Sequence, residues 1–200
     1  MIVSEYAVIR TAEPDDAGAL KRLYDPCAPR CCLLDPRGEP IFPTFDELRE
    51  VMSKSEMGQP FLLAVEDKTG MIRGFCSLRA INMEACYGEI VLMFNDDADY
   101  ATALASDVLD FLARRAFEQF RLNKIMSRIL DSECALREAV LRYGFISDGV
   151  QRETVYALGR WYGMETLTLR RSDTRYAQAE VSVGRLRRNA PAFEAASHSL

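Results

Sequence analysis

Leu141-Arg-Tyr-Gly-Phe-Ile-Ser-Asp-Gly-Val-Gln-Arg152, followed by Gly159-Arg-Trp-Tyr-Gly-Met-Glu-Thr-Leu-Thr-Leu169, is the stretch whose reading decides the fold. The helical spacing of Glu133–Arg142 stops at Gly144, because glycine takes the left-handed conformation that ends a helix without a Cβ penalty. Beyond it, Gly149–Leu158 and Met164–Leu169 read as an antiparallel pair of strands, and Lys124–Leu130 upstream reads as another strand. The chain therefore closes on strand, helix and hairpin. Trp161 is expected to be a core aromatic that anchors the last strands.

Working outward, Tyr6–Arg10 reads as a short strand and Pro14–Tyr24 as a helix with proline and two acids in its first turn. Residues 25–44 carry Pro26, Pro29, Pro36, Pro40 and Pro43, which forbid a long regular element and predict a structured loop. Phe45–Met52 returns to helical spacing. Phe61–Glu66, a turn at Asp67–Gly70 and Ile72–Arg79 form a hairpin pattern, and Glu89–Phe94 is a third apolar run. Nearly every residue from Ile90 to Phe94 is apolar, which predicts a strand covered on both faces. Asp99–Phe120 reads as one long amphipathic helix. The order is β-α-α-β-β-β-α-β-α-β-β, an α+β domain with a mixed, mostly antiparallel sheet of six to seven strands and about four helices. We expect the domain to span residues 1–170, with 171–200 as a partly disordered extension in which the apolar pattern fades.

That order, with Gly144-Phe145, Asp148-Gly149, Arg152, Gly159 and Trp161, is similar to the GNAT acetyltransferase superfamily over about residues 6–170. The ending resembles the "GF-x-x-E-G-x-x-R … G-x-W-x-D" signature of its ribosomal-protein N-terminal acetyltransferase subgroup. Asp148 stands where glutamate is usual and Gly163 where aspartate is common. The resemblance implies an N-acetyltransferase that uses acetyl-CoA as co-substrate, with no metal. It would act on a primary amine of a small molecule or a protein N-terminus. A degenerate domain that serves for binding or assembly is the alternative.

Carried over residue by residue, the resemblance places the pantetheine arm of the cofactor along Leu92, Met93 and Phe94, with a backbone N–H of Leu92 or Met93 against the thioester carbonyl. It places the pyrophosphate on the amides of Ala101, Thr102, Ala103, Leu104 and Ala105, where free N–H groups and the positive end of a helix favour an anion. Tyr100, Ala103 and Ala105 fall at the positions of the usual Arg/Gln-x-x-Gly-x-Gly/Ala pattern, so the glycines are missing. Asp96, Asp97 and Asp99 lie beside these amides, either as caps or as competitors for them.

Acyl transfer needs a neutral amine, a polarised carbonyl and a proton for the departing thiolate. Glu89 is the expected base, with a pKa raised by burial, and Ser132 the expected donor. Tyr24, Phe42 and Tyr87 are expected to line the acceptor side.

A net charge of −5 argues against nucleic acid, which requires a cationic face to release counterions, and suits an amine partner. No run approaches the roughly 20 apolar residues of a membrane span, and the first residues lack a signal-peptide pattern. We therefore expect a cytoplasmic protein, monomeric or homodimeric, with no membrane partner. Six scattered cysteines read as reduced thiols. Cys27, Cys31 and Cys32 lack a second ligand pair for zinc, and the one histidine is His198.

Overall fold

The computed structural model describes residues 1–23, 44–53, 55–56, 59–60 and 62–177. The loop at 25–43, Tyr24, Phe42, Cys27, Cys31, Cys32 and the chain after Ala177 lie outside them. An eight-stranded sheet runs in the order β1-β2-β5-β6-β7-β8-β10-β9. Its strands are β1 (Ile2–Val3), β2 (Val8–Thr11), β5 (Leu63–Glu66), β6 (Ile72–Asn82), β7 (Tyr87–Phe94), β8 (Lys124–Leu130), β9 (Ile146–Ala157) and β10 (Arg160–Arg170). A separate hairpin pairs β3 (Ser55–Glu56) with β4 (Gln59–Pro60). All neighbours in the large sheet are antiparallel except β7 and β8. The helices are α1 (Ala17–Leu23), α2 (Phe45–Ser53), α3 (Ala103–Arg114) and α4 (Cys134–Tyr143). This is the expected α+β architecture, with one more strand than the upper expectation because Ile2–Val3 pairs with Val8–Ile9.

The two faces of β7 divide the core. Ile90, Leu92 and Phe94 pack with α3 residues such as Leu104, Val108 and Leu112. Val91 and Met93 pack with Ala17, Leu20, Leu48 and Met52 of α1 and α2. Every residue from Gly88 to Phe94 is buried, which is why this strand shows no alternation in sequence.

Local chemistry sets the helix ends. Thr44 and Glu47 form a reciprocal capping box on α2: the Glu47 N–H donates to Thr44 Oγ1 at 3.3 Å and the Thr44 N–H to Glu47 Oε2 at 2.7 Å. Gly144 ends α4 at φ +117°, and the Phe145 N–H turns back to the Val140 carbonyl at 3.2 Å. Leu158 and Gly159, at φ +52° and +78°, make the tight turn between β9 and β10, where a right-twisted hairpin requires positive φ.

The expected single helix over Asp99–Phe120 is three pieces. A 3₁₀ turn covers Asp97–Ala101, α3 follows, and a π turn spans Arg115–Gln119. Trp161 is also not a core residue: it is 56% exposed and stacks on Tyr156 at 5.2 Å between ring centres. Past β10, the 3₁₀ turns Arg171–Asp173 and Arg175–Ala177 fold back, burying Tyr176 against Phe117 and bringing its hydroxyl to Asp110 at 3.1 Å. No helix among the described residues is long and apolar enough to cross a membrane.

Candidate active site

β7 and β8 run parallel for only three rungs, Tyr87 with Lys124, Gly88 with Ile125 and Glu89 with Met126, and then separate. β8 continues to Leu130 against β10, and β7 continues to Phe94 against β6. Among the described residues, no strand stands opposite the β7 edge from Ile90 onward. Alternation decides which groups face it. The Asn95 N–H donates to Arg73 O of β6 at 2.8 Å, whereas the Phe94 N–H donates to the Tyr100 hydroxyl at 3.0 Å. Even-numbered residues thus turn their amides to the opening and odd-numbered residues turn theirs to β6. Of the two amides expected to meet the carbonyl, Leu92 has the right orientation. Met93 does not, because its N–H belongs to the β6 ladder.

Tyr100 explains its own departure from a cation. Its ring packs on Phe94 at 4.9 Å, and its hydroxyl accepts from the Phe94 N–H and donates to Leu92 O at 3.4 Å. It pins the 3₁₀ turn to the open edge of β7. The first turn of α3 follows, with Ala103, Leu104 and Ala105 at its start. Thr102 occupies the N-cap position but makes no side-chain cap. Its hydroxyl instead donates back to Asp99 O at 2.7 Å.

Two of the three nearby acids have partners of their own. Asp96 caps the 3₁₀ turn by accepting from the Ala98 N–H at 2.9 Å. Asp99 is buried and held by Arg73 Nη2 and Nε at 2.7 and 3.0 Å, and Asp96 and Asp97 are exposed. Sequence reasoning missed Arg142, in the last turn of α4, whose Nη1 reaches the Ala101 carbonyl at 3.5 Å. This puts a cation at the start of α3, where the motif lacks one. Its place two residues before Gly144 was the available signal.

Glu89 sits on the last parallel rung, where the strands part, and is 5% exposed. Arg128 grips both of its oxygens, Nε to Oε1 at 3.0 Å and Nη2 to Oε2 at 2.8 Å, and Arg79 adds Nη2 to Oε1 at 3.2 Å. Burial alone pushes the carboxyl upward. The two guanidiniums outweigh it and hold the pKa below the usual carboxylate range. The expectation of a raised pKa is therefore reversed, for a reason that lies in residues 10 and 39 positions away.

Tyr87 shares the face of Glu89 by the two-residue period of the strand. Ser132 is exposed in the turn after β8. Leu130 is four residues beyond the level of Glu89, roughly 13 Å at 3.3 Å per residue, so the structure does not bring Ser132 beside Glu89. The departure at Gly163 also has a local cause. Its N–H and carbonyl are both tied to Asp131, at 2.9 and 3.1 Å, and a Cβ there would stand 3.4 Å from the Asp131 carboxylate.

No protein-family model and no curated protein matches the chain. Among solved structures it is similar to a spermidine N-acetyltransferase from Vibrio cholerae in complex with CoA and spermine. That match has 19% identity and a TM-score of 0.70, covering 85% of this chain and 98% of that one. It is also similar to a GNAT-family acetyltransferase from Bacillus anthracis, with 16% identity and a TM-score of 0.66, covering 84% and 97%. At these identities the likeness establishes the fold: the architecture is that of the GNAT acetyltransferases.

Proposed function

We propose that the chain is an N-acyltransferase that uses acetyl-CoA to acetylate a primary amine, of a small molecule or a protein N-terminus, in the cytoplasm. The observation that carries this reading is the unpaired edge of β7 running from the apex at Glu89 to the start of α3. The name of the Vibrio cholerae structure, a spermidine N-acetyltransferase, supports an amine as acceptor. The signature at Gly144-Phe145, Asp148-Gly149 and Gly159 supports the ribosomal-protein N-terminal acetyltransferase subgroup.

Acetyl-CoA supplies an activated thioester. The Leu92 N–H faces the opening and is oriented to polarise a carbonyl held there, with no side chain needed. The amides of Ala103, Leu104 and Ala105 at the positive end of α3, with Arg142 beside them, suit a pyrophosphate. Alanines in place of glycine leave these donors intact. Glu89 is ionised and clamped, so it acts as a fixed charge that positions Arg79 and Arg128 at the apex. Water takes the proton of the amine and returns one to the departing thiolate. Tyr87 lines the acceptor face.

Tyr100 favours a second reading, a GNAT-like binding module, because its hydroxyl occupies backbone groups on the edge that a ligand would use. Isothermal titration with acetyl-CoA separates the two. Micromolar binding is the expected result for a transferase, and no binding at millimolar ligand would sink it.

A further inference from the structure

Asp110, in the middle of α3, is where three parts of the chain meet. Its Oδ1 accepts from the Tyr143 hydroxyl of α4 at 3.1 Å, from the Tyr176 hydroxyl at 3.1 Å and from the Arg175 guanidinium. Arg175 and Tyr176 belong to the short segment after β10, a strap that returns to α3. The strap is tied at both ends. The Arg171 N–H donates to Asn123 O at 2.8 Å, just ahead of β8, and the buried Tyr176 ring lies 5.8 Å from that of Phe117. Between them Thr174 closes a turn, its hydroxyl donating to Arg171 O at 2.7 Å and accepting from the Tyr176 N–H at 3.2 Å. Burial is the main cause that pushes both phenols upward, so each keeps its proton and donates it to the carboxylate.

Tyr143 is the neighbour of Arg142. The last turn of α4 therefore meets this helix layer twice: Arg142 reaches the Ala101 carbonyl at the entry to α3, and Tyr143 reaches Asp110. Asp110 lies seven residues beyond Ala103, roughly 10 Å along the axis. Arg142 is exposed and its contact, at 3.5 Å, is long, so it does not hold the turn by itself. Helix ends open before helix middles, and the buried residues of α4, Leu136, Ala139 and Val140, all precede Arg142. The Asp110 side chain is 35% exposed, which lets water compete for its oxygens. Arg175 and Tyr176 fix its rotamer and leave Oδ1 aimed at Tyr143.

Resting on the transferase reading above, we propose that Asp110 is a positioning residue for the cofactor and that the strap is part of the same device. Arg175 and Tyr176 hold the carboxylate, the carboxylate holds Tyr143, and Tyr143 keeps Arg142 at the phosphate end of α3. The first residues beyond the last strand thereby contribute to acetyl-CoA affinity without touching the ligand.

The test is a double-mutant cycle read by isothermal titration with acetyl-CoA. Asp110→Ala should weaken binding about three- to fivefold in the otherwise unchanged chain, the size of one net hydrogen bond. In the Arg142→Gln background the same change should cost less than about 1.5-fold, because the group it positions is gone. Arg175→Gln combined with Tyr176→Phe leaves Asp110 and Tyr143 in place, and should weaken binding about twofold, again only where Arg142 is present. A merely structural role would lower the melting temperature and leave the two backgrounds equal. Equal losses in both backgrounds, or no loss in either, would overturn the proposal. A second readout needs no ligand. The Gly144 and Phe145 N–H groups, which close the α4 cap on Leu141 O and Val140 O, should exchange faster in the Arg175→Gln, Tyr176→Phe chain. If the unchanged chain does not bind acetyl-CoA, the transferase reading falls, and unaltered exchange at the cap then removes the strap as well. If acetyl-CoA binds and both backgrounds lose equally, the strap alone falls.

Discussion

Replacing Glu89 with glutamine keeps the shape of the side chain and removes its charge, and the structure sets the cost. The carboxylate is 5% exposed and accepts three charge-assisted hydrogen bonds, at 2.8, 3.0 and 3.2 Å. Taking one partner from a buried ion pair costs roughly 3–5 kcal/mol when the orphaned charge stays buried. Here the two arginines are 20% and 41% exposed and can regain water, so the loss should be about 2–3 kcal/mol. For a chain of this size that corresponds to a melting temperature lower by about 4–12 °C. Thermal and urea melts at pH 7 followed by circular dichroism measure it.

The sign of the pH dependence follows from the lowered pKa. The folded carboxylate titrates below its unfolded value of about 4.3, so its contribution is complete above that pH and is lost as pH falls through the folded pKa. The gap between wild type and variant should therefore close in acid. A loss at pH 7 below about 1 kcal/mol, or a gap that widens toward pH 3, would refute the clamp. A wild-type rate profile with a limb near pH 6–7 that Glu89→Gln abolishes would instead make Glu89 the proton acceptor.

Tyr100→Phe removes the hydroxyl that bridges the Phe94 N–H and Leu92 O, at a cost of about 1 kcal/mol in stability. It should tighten acetyl-CoA binding by titration, because a competitor for the β7 edge is gone; weaker binding would show that the phenol helps to hold the ligand. Arg142→Gln should weaken acetyl-CoA about five- to tenfold, equivalent to about 1 kcal/mol, with little change in melting temperature. An unchanged Kd would remove Arg142 from the phosphate end. Gly144→Ala should cost about 1–2 kcal/mol in a urea melt, since the added Cβ meets nothing closer than 4.0 Å and the penalty is that of a left-handed backbone at φ +117°. Full stability in that variant would mean the α4 cap rearranges.

What was legible in the sequence is what local chemistry decides. Lys124–Leu130 is a strand with the bounds its apolar pattern gives and Gly144 caps α4, because each depends on residues within a few positions. Trp161 was not legible. An aromatic in an alternating strand reads as core, and only the sheet order shows that β9, its partner, is the outer strand. Choosing Leu92 over Met93 required the register of β6 on β7, since one residue of slip would exchange their roles. The pKa of Glu89 was read from burial alone, and both groups that reverse it arrive from other strands.

The phosphate end shows the same limit most sharply. Three aspartates within four residues of one another suggest a repelled anion when only neighbours are counted. In the fold, Asp99 is neutralised by Arg73, 26 residues away in sequence, and Asp96 faces the turn before α3. Arg142 arrives from α4, 41 residues from the Ala101 carbonyl it reaches. Of the three negative charges, that of Asp99 is thus paired, those of Asp96 and Asp97 stay exposed, and a cation is added at the helix start. A like charge at the surface is worth roughly 1 kcal/mol at 4 Å in water, comparable to the gain an anion draws from a helix end, so pairing Asp99 and adding Arg142 moves the local balance toward an anion. The missing glycines then matter less than the reduced repulsion: an alanine leaves the amides that would bind a phosphate where α3 puts them.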